Sequence, residues 1–132
     1  MIFPYKKTGG LKYGPVAPIA LMGVDRWVPF DAFVDPGADY SVFHSDVAVL
    51  MGLRLTSGKK KIVTVGDGDD MIVYLQTITV RFAGFVFKAP IAFSSALEAG
   101  FNLLGREVFF DKFQVCFNDR DKIVRVTKLP RL

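Results

Sequence analysis

With 132 residues, 51% of them apolar and thirteen of them Phe, the chain carries enough core-forming side chains for one folded domain without staples. Its apolar runs are cut short by Lys, Asp, Gly or Pro, so none approaches the ~20 residues of a membrane span, and Met1 to Lys7 lacks the charged-then-apolar order of a signal peptide. A single cysteine, Cys116, excludes an internal disulfide and fits a reducing cytoplasm, while the formal charge of +4 allows contact with an acidic surface. The lysine run Lys59-Lys60-Lys61 has no interleaved aromatic residue. It reads as a solvated loop, and nucleic acid is not an expected partner.

Residues 1–14, with Gly9, Gly10 and Gly14 among lysines, read as a loosely held N-terminal arm, and residues 15–132 as the single domain. Val16 to Met22 is an apolar strand demoted to a sheet edge by Pro18. Gly23-Val24-Asp25-Arg26 turns the chain into a second strand, Trp27 to Val34. Tyr40 to Phe43 is strand-like again. Ser45 is then expected to cap a short helix over 47–51, with Asp46 in its first turn and Gly52 as its terminator. Lys59 to Val65 and Met71 to Leu75 form a hairpin with a Gly/Asp-rich tip at residues 66–70. Thr77 to Phe82 and Phe85 to Ile91 form another, turning at Ala83-Gly84. Residues 93–100 fit a loop or one helical turn. A short helix is expected over Val108-Phe109-Phe110, followed by strands Phe113 to Phe117 and Ile123 to Thr127. Many short strands, regular turns and few helices predict a small all-β barrel.

The stretch that invites chemistry is Phe33-Val34-Asp35-Pro36-Gly37-Ala38-Asp39, an apolar strand running into an acid. Taken alone it is a good turn, with Pro presetting φ and Gly supplying a positive φ after it. The other reactive residue types are less suggestive. His44, the only histidine, lacks a Ser or Cys partner or a second ligand, and reads as helix-entry surface. Cys116 alternates with Val115 and Phe117 in a strand and reads as a small buried thiol. Asp67, Asp69 and Asp70 lack the spacing of a calcium loop. Met22, Met51 and Met71 read as core filler, and Phe109 with Phe110 as anchors of their helix.

Three features in order change the weight of that stretch: the apolar strand into Asp35-Pro36-Gly37-Ala38-Asp39, the Gly-tipped hairpin, and Leu103-Leu104-Gly105-Arg106-Glu107. Together they resemble the retropepsin-like aspartic proteases, and the bacterial single-domain branch in particular. That branch carries segments like Phe3-Pro4-Tyr5, Ala38-Asp39-Tyr40-Ser41-Val42-Phe43 and the run from Leu103 to Phe113. The resemblance spans essentially the whole chain.

It implies a mainly β fold, a small closed acid-protease barrel with one or two short helices, and an aspartic endopeptidase acting on peptide or protein substrates. One aspartate per chain implies a homodimer, with two copies of Asp35 sharing one proton and activating water without metal or organic cofactor. By the same resemblance Gly37 donates its N–H to Asp35, Ala38 keeps the cleft wall small, and Asp39 edges the groove and pairs with Arg106. The hairpin from Lys61 to Leu75, with Val65, Gly66, Asp67 and Gly68 as its substrate-facing residues, takes the place of the flap over substrate. One residue departs from the family pattern. Pro36 stands where Thr or Ser is the rule and lacks the hydroxyl that links the two active-site loops. The alternative is therefore a weak or silent retropepsin-fold module for dimerisation or peptide binding.

Overall fold

The computed structural model describes residues 1–7, 13–64, 68–97 and 102–131. Three short strands open the chain: β1 (Ile2–Pro4), β2 (Lys6–Lys7) and β3 (Tyr13–Gly14). β4 (Val16–Met22) and β5 (Trp27–Val34) follow as an antiparallel pair, turned by the Gly23 N–H donating to Arg26 O at 2.8 Å. Then come β6 (Ser41–His44), α1 (Ser45–Leu50), β7 (Lys59–Thr64), β8 (Asp70–Phe82), β9 (Phe85–Ser94) and β10 (Leu103–Leu104). α2 (Phe109–Lys112), β11 (Phe113–Asn118) and β12 (Ile123–Lys128) follow, and a short 3-10 turn at Leu55–Ser57 lies between α1 and β7. Among the described residues the fold is mainly β with two short α-helices.

Seven strands are hydrogen-bonded in the order β4-β5-β10-β6-β9-β8-β7, and β4 also pairs with β8, so the sheet returns on itself as a ring with β7 outside it. This corrects the edge assignment of β4. Pro18, which lacks an N–H, faces Asp31 of β5, whereas the β8 pairing uses only Ile19, Ala20 and Leu21. The proline thus sits just outside the stretch that needs donors on both sides. β8 is one strand of 13 residues where two were expected. No Gly or Pro interrupts it, Thr77-Ile78-Thr79-Val80 favours extended backbone, and Gln76 stays in register opposite Ile91. Its turn into β9 has φ 50° at Ala83 and 86° at Gly84, the left-handed pair that a two-residue hairpin needs.

Alternation fills the ring. Ile78, Val80 and Phe82 of β8 point inward, with Ile19 and Leu21 of β4 and Val34 of β5 in the same cluster. Phe82 meets Phe109 and Phe113 edge to face, at centroid distances of 5.6 and 5.2 Å, which ties α2 and β11 to the ring. Each such aromatic pair adds about 1 kcal/mol beyond its buried area. A second, smaller cluster of Val42, Val73, Ala92 and Leu97 lies under the β7–β8 hairpin, with Tyr40, Val63 and Leu103 packed against it. It supports the hairpin above the loop that leaves β5.

Other expectations are adjusted locally. The cap of α1 is His44, whose Nδ1 accepts the Asp46 N–H at 3.0 Å, one residue before the expected Ser45. α2 starts at Phe109 because Val108, at φ 71°, is outside the helical region. Cys116 is exposed, because strand alternation sends its neighbours Phe113 and Val115 toward the core and pairs Cys116 with exposed Arg125. Met51 is buried, whereas Met22 and Met71 are only partly so. β9 runs on through Phe93 and Ser94, a bend follows at 95–97, and the rest of the undecided tract lies outside the described residues.

The N-terminal segment is held more firmly than a loose arm. β1 pairs with β12, itself paired with β11, and the Met1 amino group donates to Val126 O at 2.7 Å. Tyr5 is buried, and its hydroxyl donates to Asp119 Oδ1 at 2.8 Å. Burial, then the hydrogen bond and charge of Asp119, push the Tyr5 phenol up to about 12. The folded state therefore holds this proton more tightly than the unfolded chain, where a phenol titrates near 10. Its stabilisation is complete below about pH 10 and is lost as pH rises through about 12. Tyr5→Phe is expected to cost about 1 kcal/mol in urea unfolding at pH 7, and this difference should shrink between pH 10 and 12.

Candidate active site

β5 delivers Asp35 to the end of a strand whose neighbour is β10. β10 is parallel to β5, with Leu103 beside Phe33 and Leu104 beside Val34, and antiparallel to β6 through Leu103 and Val42. The two leucines therefore lie between the strand that enters the loop 35–40 and the strand that leaves it. Backbone bonds fasten the loop to this insert. Asp35 N–H donates to Leu104 O at 2.9 Å, Arg106 N–H to Ala38 O at 2.9 Å, and Glu107 N–H to Asp39 O at 2.7 Å. Gly105 N–H donates to the buried Ser41 hydroxyl at 2.9 Å. The loop is pinned at both ends and along its length.

Within it, Ala38 N–H donates to Asp35 O at 3.2 Å, so Asp35 to Ala38 form a tight turn with Pro36 in second place. Gly37 is not among the glycines with positive φ, which corrects the plain-turn reading of it, whereas the close approach to Asp35 that the resemblance implies is present. Its N–H donates to Asp35 Oδ1 at 2.9 Å, and a Cβ there would lie 3.1 Å from that same oxygen. Glycine is used for close approach to the carboxylate. Pro36 and Gly37 are exposed, and Asp35 and Ala38 are half-buried.

Asp35 lines a chamber of about 140 Å³ whose apolar walls are Ala38, Val42, Val63 and Leu103. Beside it runs an open groove of about 680 Å³ between β7 and the start of α2, with Lys61, Arg106, Glu107 and Phe110 on its walls. Asp39, Tyr40, Val63 and Thr64 line both, so the two spaces adjoin. Lys61 Nζ donates to the Tyr40 hydroxyl at 2.8 Å and lies 4.9 Å from its ring centre. That hydrogen bond, and more weakly Glu107, raise the Lys61 pKa.

The Asp39–Arg106 ion pair is not formed among the described residues; the ion pairs found there are Lys6–Asp31, His44–Asp46 and Arg120–Asp121. Both side chains are exposed, where water competes with pairing, and the backbone bonds already join the two segments. Val65, Gly66 and Asp67 lie outside the described residues, and Gly68 is exposed at φ 89°. Tyr40 and Val42 were not picked out by sequence reasoning as parts of the site, and Lys61 and Val63 only as part of the flap hairpin. For Lys61 and Val63 the signal was there: they are spaced two apart, which puts both on one face of β7.

No family model matches the chain, and no curated protein matches it. Solved structures do. A retropepsin-like aspartic protease from Rickettsia conorii superposes at a TM-score of 0.67 and 20% identity, covering 95% of this chain and 97% of that one. EIAV protease, in complex with an inhibitor, superposes at a TM-score of 0.57 and 21% identity, covering 80% of this chain and 93% of the other. The ring of strands, the insert of β10 beside the Asp35 loop and these superpositions agree: the chain has the retropepsin-like fold.

Proposed function

We propose that the chain is an aspartic endopeptidase that works as a homodimer, with Asp35 from each protomer forming one dyad. The observation that carries this reading is the setting of Asp35: a half-buried carboxylate, oriented by the Gly37 N–H, at an apolar chamber beside an open groove. Two such carboxylates facing each other hold a single proton at acid pH. The ionised one takes a proton from water as the water oxygen attacks the scissile carbonyl carbon, while the protonated one donates to the carbonyl oxygen. Collapse of the tetrahedral species breaks the C–N bond and delivers a proton to the leaving nitrogen. The chemistry needs no metal or organic cofactor. Residues 15–132 form the catalytic domain, and the β7–β8 hairpin acts as the flap over a bound peptide.

Purified protein is expected to cleave peptides at acid pH, to be inhibited by a statine-type transition-state analogue, and to sediment as a dimer. A monomer that cleaves normally would overturn the shared dyad.

A second reading, a silent retropepsin-fold module that dimerises or binds peptides, is favoured by Pro36. Its side chain has neither a hydroxyl nor an N–H to bond across a two-fold axis. Pro36→Thr restores that hydroxyl. If the enzyme reading holds, this variant should gain roughly 1 kcal/mol in dimer affinity and turn over faster, read by sedimentation and initial rates. Peptide binding without any product, from wild type and Pro36→Thr alike, would select the silent module.

A further inference from the structure

We propose that the outward face of β4, β5, β8 and β9 docks onto an anionic phospholipid surface, with its apolar side chains entering the interface and Arg81 and Lys88 binding lipid phosphates. This face shares no residue with the chamber or the groove, so the proposal does not depend on the protease reading.

Alternation defines the face. On β4, Ala17, Ile19 and Leu21 enter the core, so Pro18, Ala20 and Met22 point out. Ladder pairing sets Asp31, Pro29 and Trp27 of β5 beside them, in that order. Across the other edge Ala20 meets Arg81 of β8, and Arg81 meets Val86 of β9, with Thr79 and Lys88 paired in the next row. A sheet face that meets water is ordinarily polar at its outward positions. Here Pro18, Ala20, Met22, Trp27, Pro29 and Val86 are apolar, and Val86 is 60% exposed. An open dent of about 220 Å³ lies among them, extended by Met1, itself 64% exposed, and by the Ala83-Gly84 turn. The Arg81 guanidinium carbon lies 4.6 Å from the Trp27 ring centre, so this cation reaches across β4 over the same face.

Charge identifies the occupant. Arg81 and Lys88 are exposed, and Asp31, the one carboxylate at these outward positions, is held by Lys6 at 3.1 Å. The face is therefore positive, as is the chain at +4. A second copy of the chain would set this positive face against itself. An extended peptide finds no edge to join, since β4 and β8 are each paired on both sides. An anionic bilayer matches both halves of the pattern. Its phosphates take the cations, and its interfacial layer takes the apolar side chains, Trp and Arg among the residues that settle at that depth.

The chain has one tryptophan, Trp27, so its emission reports on this face alone. Purified protein is mixed with vesicles of phosphatidylcholine, or of phosphatidylcholine with about one third phosphatidylserine, and bound protein is read by cosedimentation. Expected is binding at least about tenfold tighter to the phosphatidylserine vesicles, weakened by salt and accompanied by a blue shift of Trp27 emission. Arg81→Glu with Lys88→Glu, at exposed positions that leave the fold intact, should weaken binding by at least about tenfold. Lys59→Glu with Lys60→Glu makes the same charge change on exposed β7 and should weaken it by no more than about threefold. Sedimentation reads both pairs, since Arg81 lies over the Trp27 ring. Equal losses in the two pairs would reduce the binding to net charge and overturn the assignment of this face. Absence of binding, equal binding to both vesicle types, or bound protein with unshifted Trp27 emission would overturn the proposal outright.

Discussion

Asp35→Asn is expected to lower peptide hydrolysis at acid pH by at least a factor of about a hundred while leaving the fold intact. The substitution nearly preserves shape, and its side-chain oxygen still accepts the Gly37 N–H that orients Asp35 at 2.9 Å. What it removes is the ability to carry negative charge and to exchange a proton with water, the two properties the dyad mechanism uses. Unfolding free energies of the two proteins should therefore agree within about 0.5 kcal/mol, as for other partly exposed substitutions. A shared dyad makes a second, sharper demand. When wild type and variant are mixed in equal amounts and allowed to exchange subunits, only wild-type pairs are active, so activity should fall to about one quarter of that of wild type at the same total concentration. A fall to one half marks independent sites and contradicts the dyad.

Gly105→Ala is the substitution expected to cost the most stability, about 3 kcal/mol or more. An added Cβ would collide with the Tyr40 carbonyl and lie 2.8 Å from Ala38 O. These are backbone atoms, which cannot swing aside as a flexible side chain does. Either β10 or the loop 35–40 must move. Any such movement strains the bonds from Gly105 to Ser41, Arg106 to Ala38 and Glu107 to Asp39 together. Chemical denaturation reads the loss directly, and a change below about 0.5 kcal/mol would falsify the packing argument. The variant should also lose activity beyond its loss of folded protein, since the loop it displaces carries Asp35.

The two substitutions separate what the residues around Asp35 do. In the proposed reading Asp35 supplies the reactive group, and Gly105, seventy positions later in the chain, lets the loop beside it sit where it does. Removing the first should spare the fold and end the chemistry. Crowding the second should disturb both.

Local features of the chain were enough to place most strands. Trp27 to Val34 is bounded as the apolar run and its flanking turns imply, and Ala83-Gly84 turns β8 into β9 because Gly tolerates the left-handed backbone that a two-residue hairpin requires. The order of the Asp35 stretch, the hairpin and Leu103 to Glu107 was sufficient to suggest the fold, since each is a short motif read from adjacent residues. Partners of β4 were not readable, because the effect of Pro18 depends on where β8 joins the strand. Nor was the fate of Cys116, whose exposure depends on which face of β11 meets the core. The expected Asp39–Arg106 pair gave way to backbone bonds between the same two segments, a choice that depends on how closely β10 approaches the loop. Sequence by itself determined most of the elements and singled out the carboxylate of Asp35 as the candidate, because strand period, turn chemistry and residue type are local properties. Only the tertiary structure decided that Tyr40 and Lys61 meet beside that carboxylate, because their contact joins the loop 35–40 to β7, a pairing that no local pattern encodes.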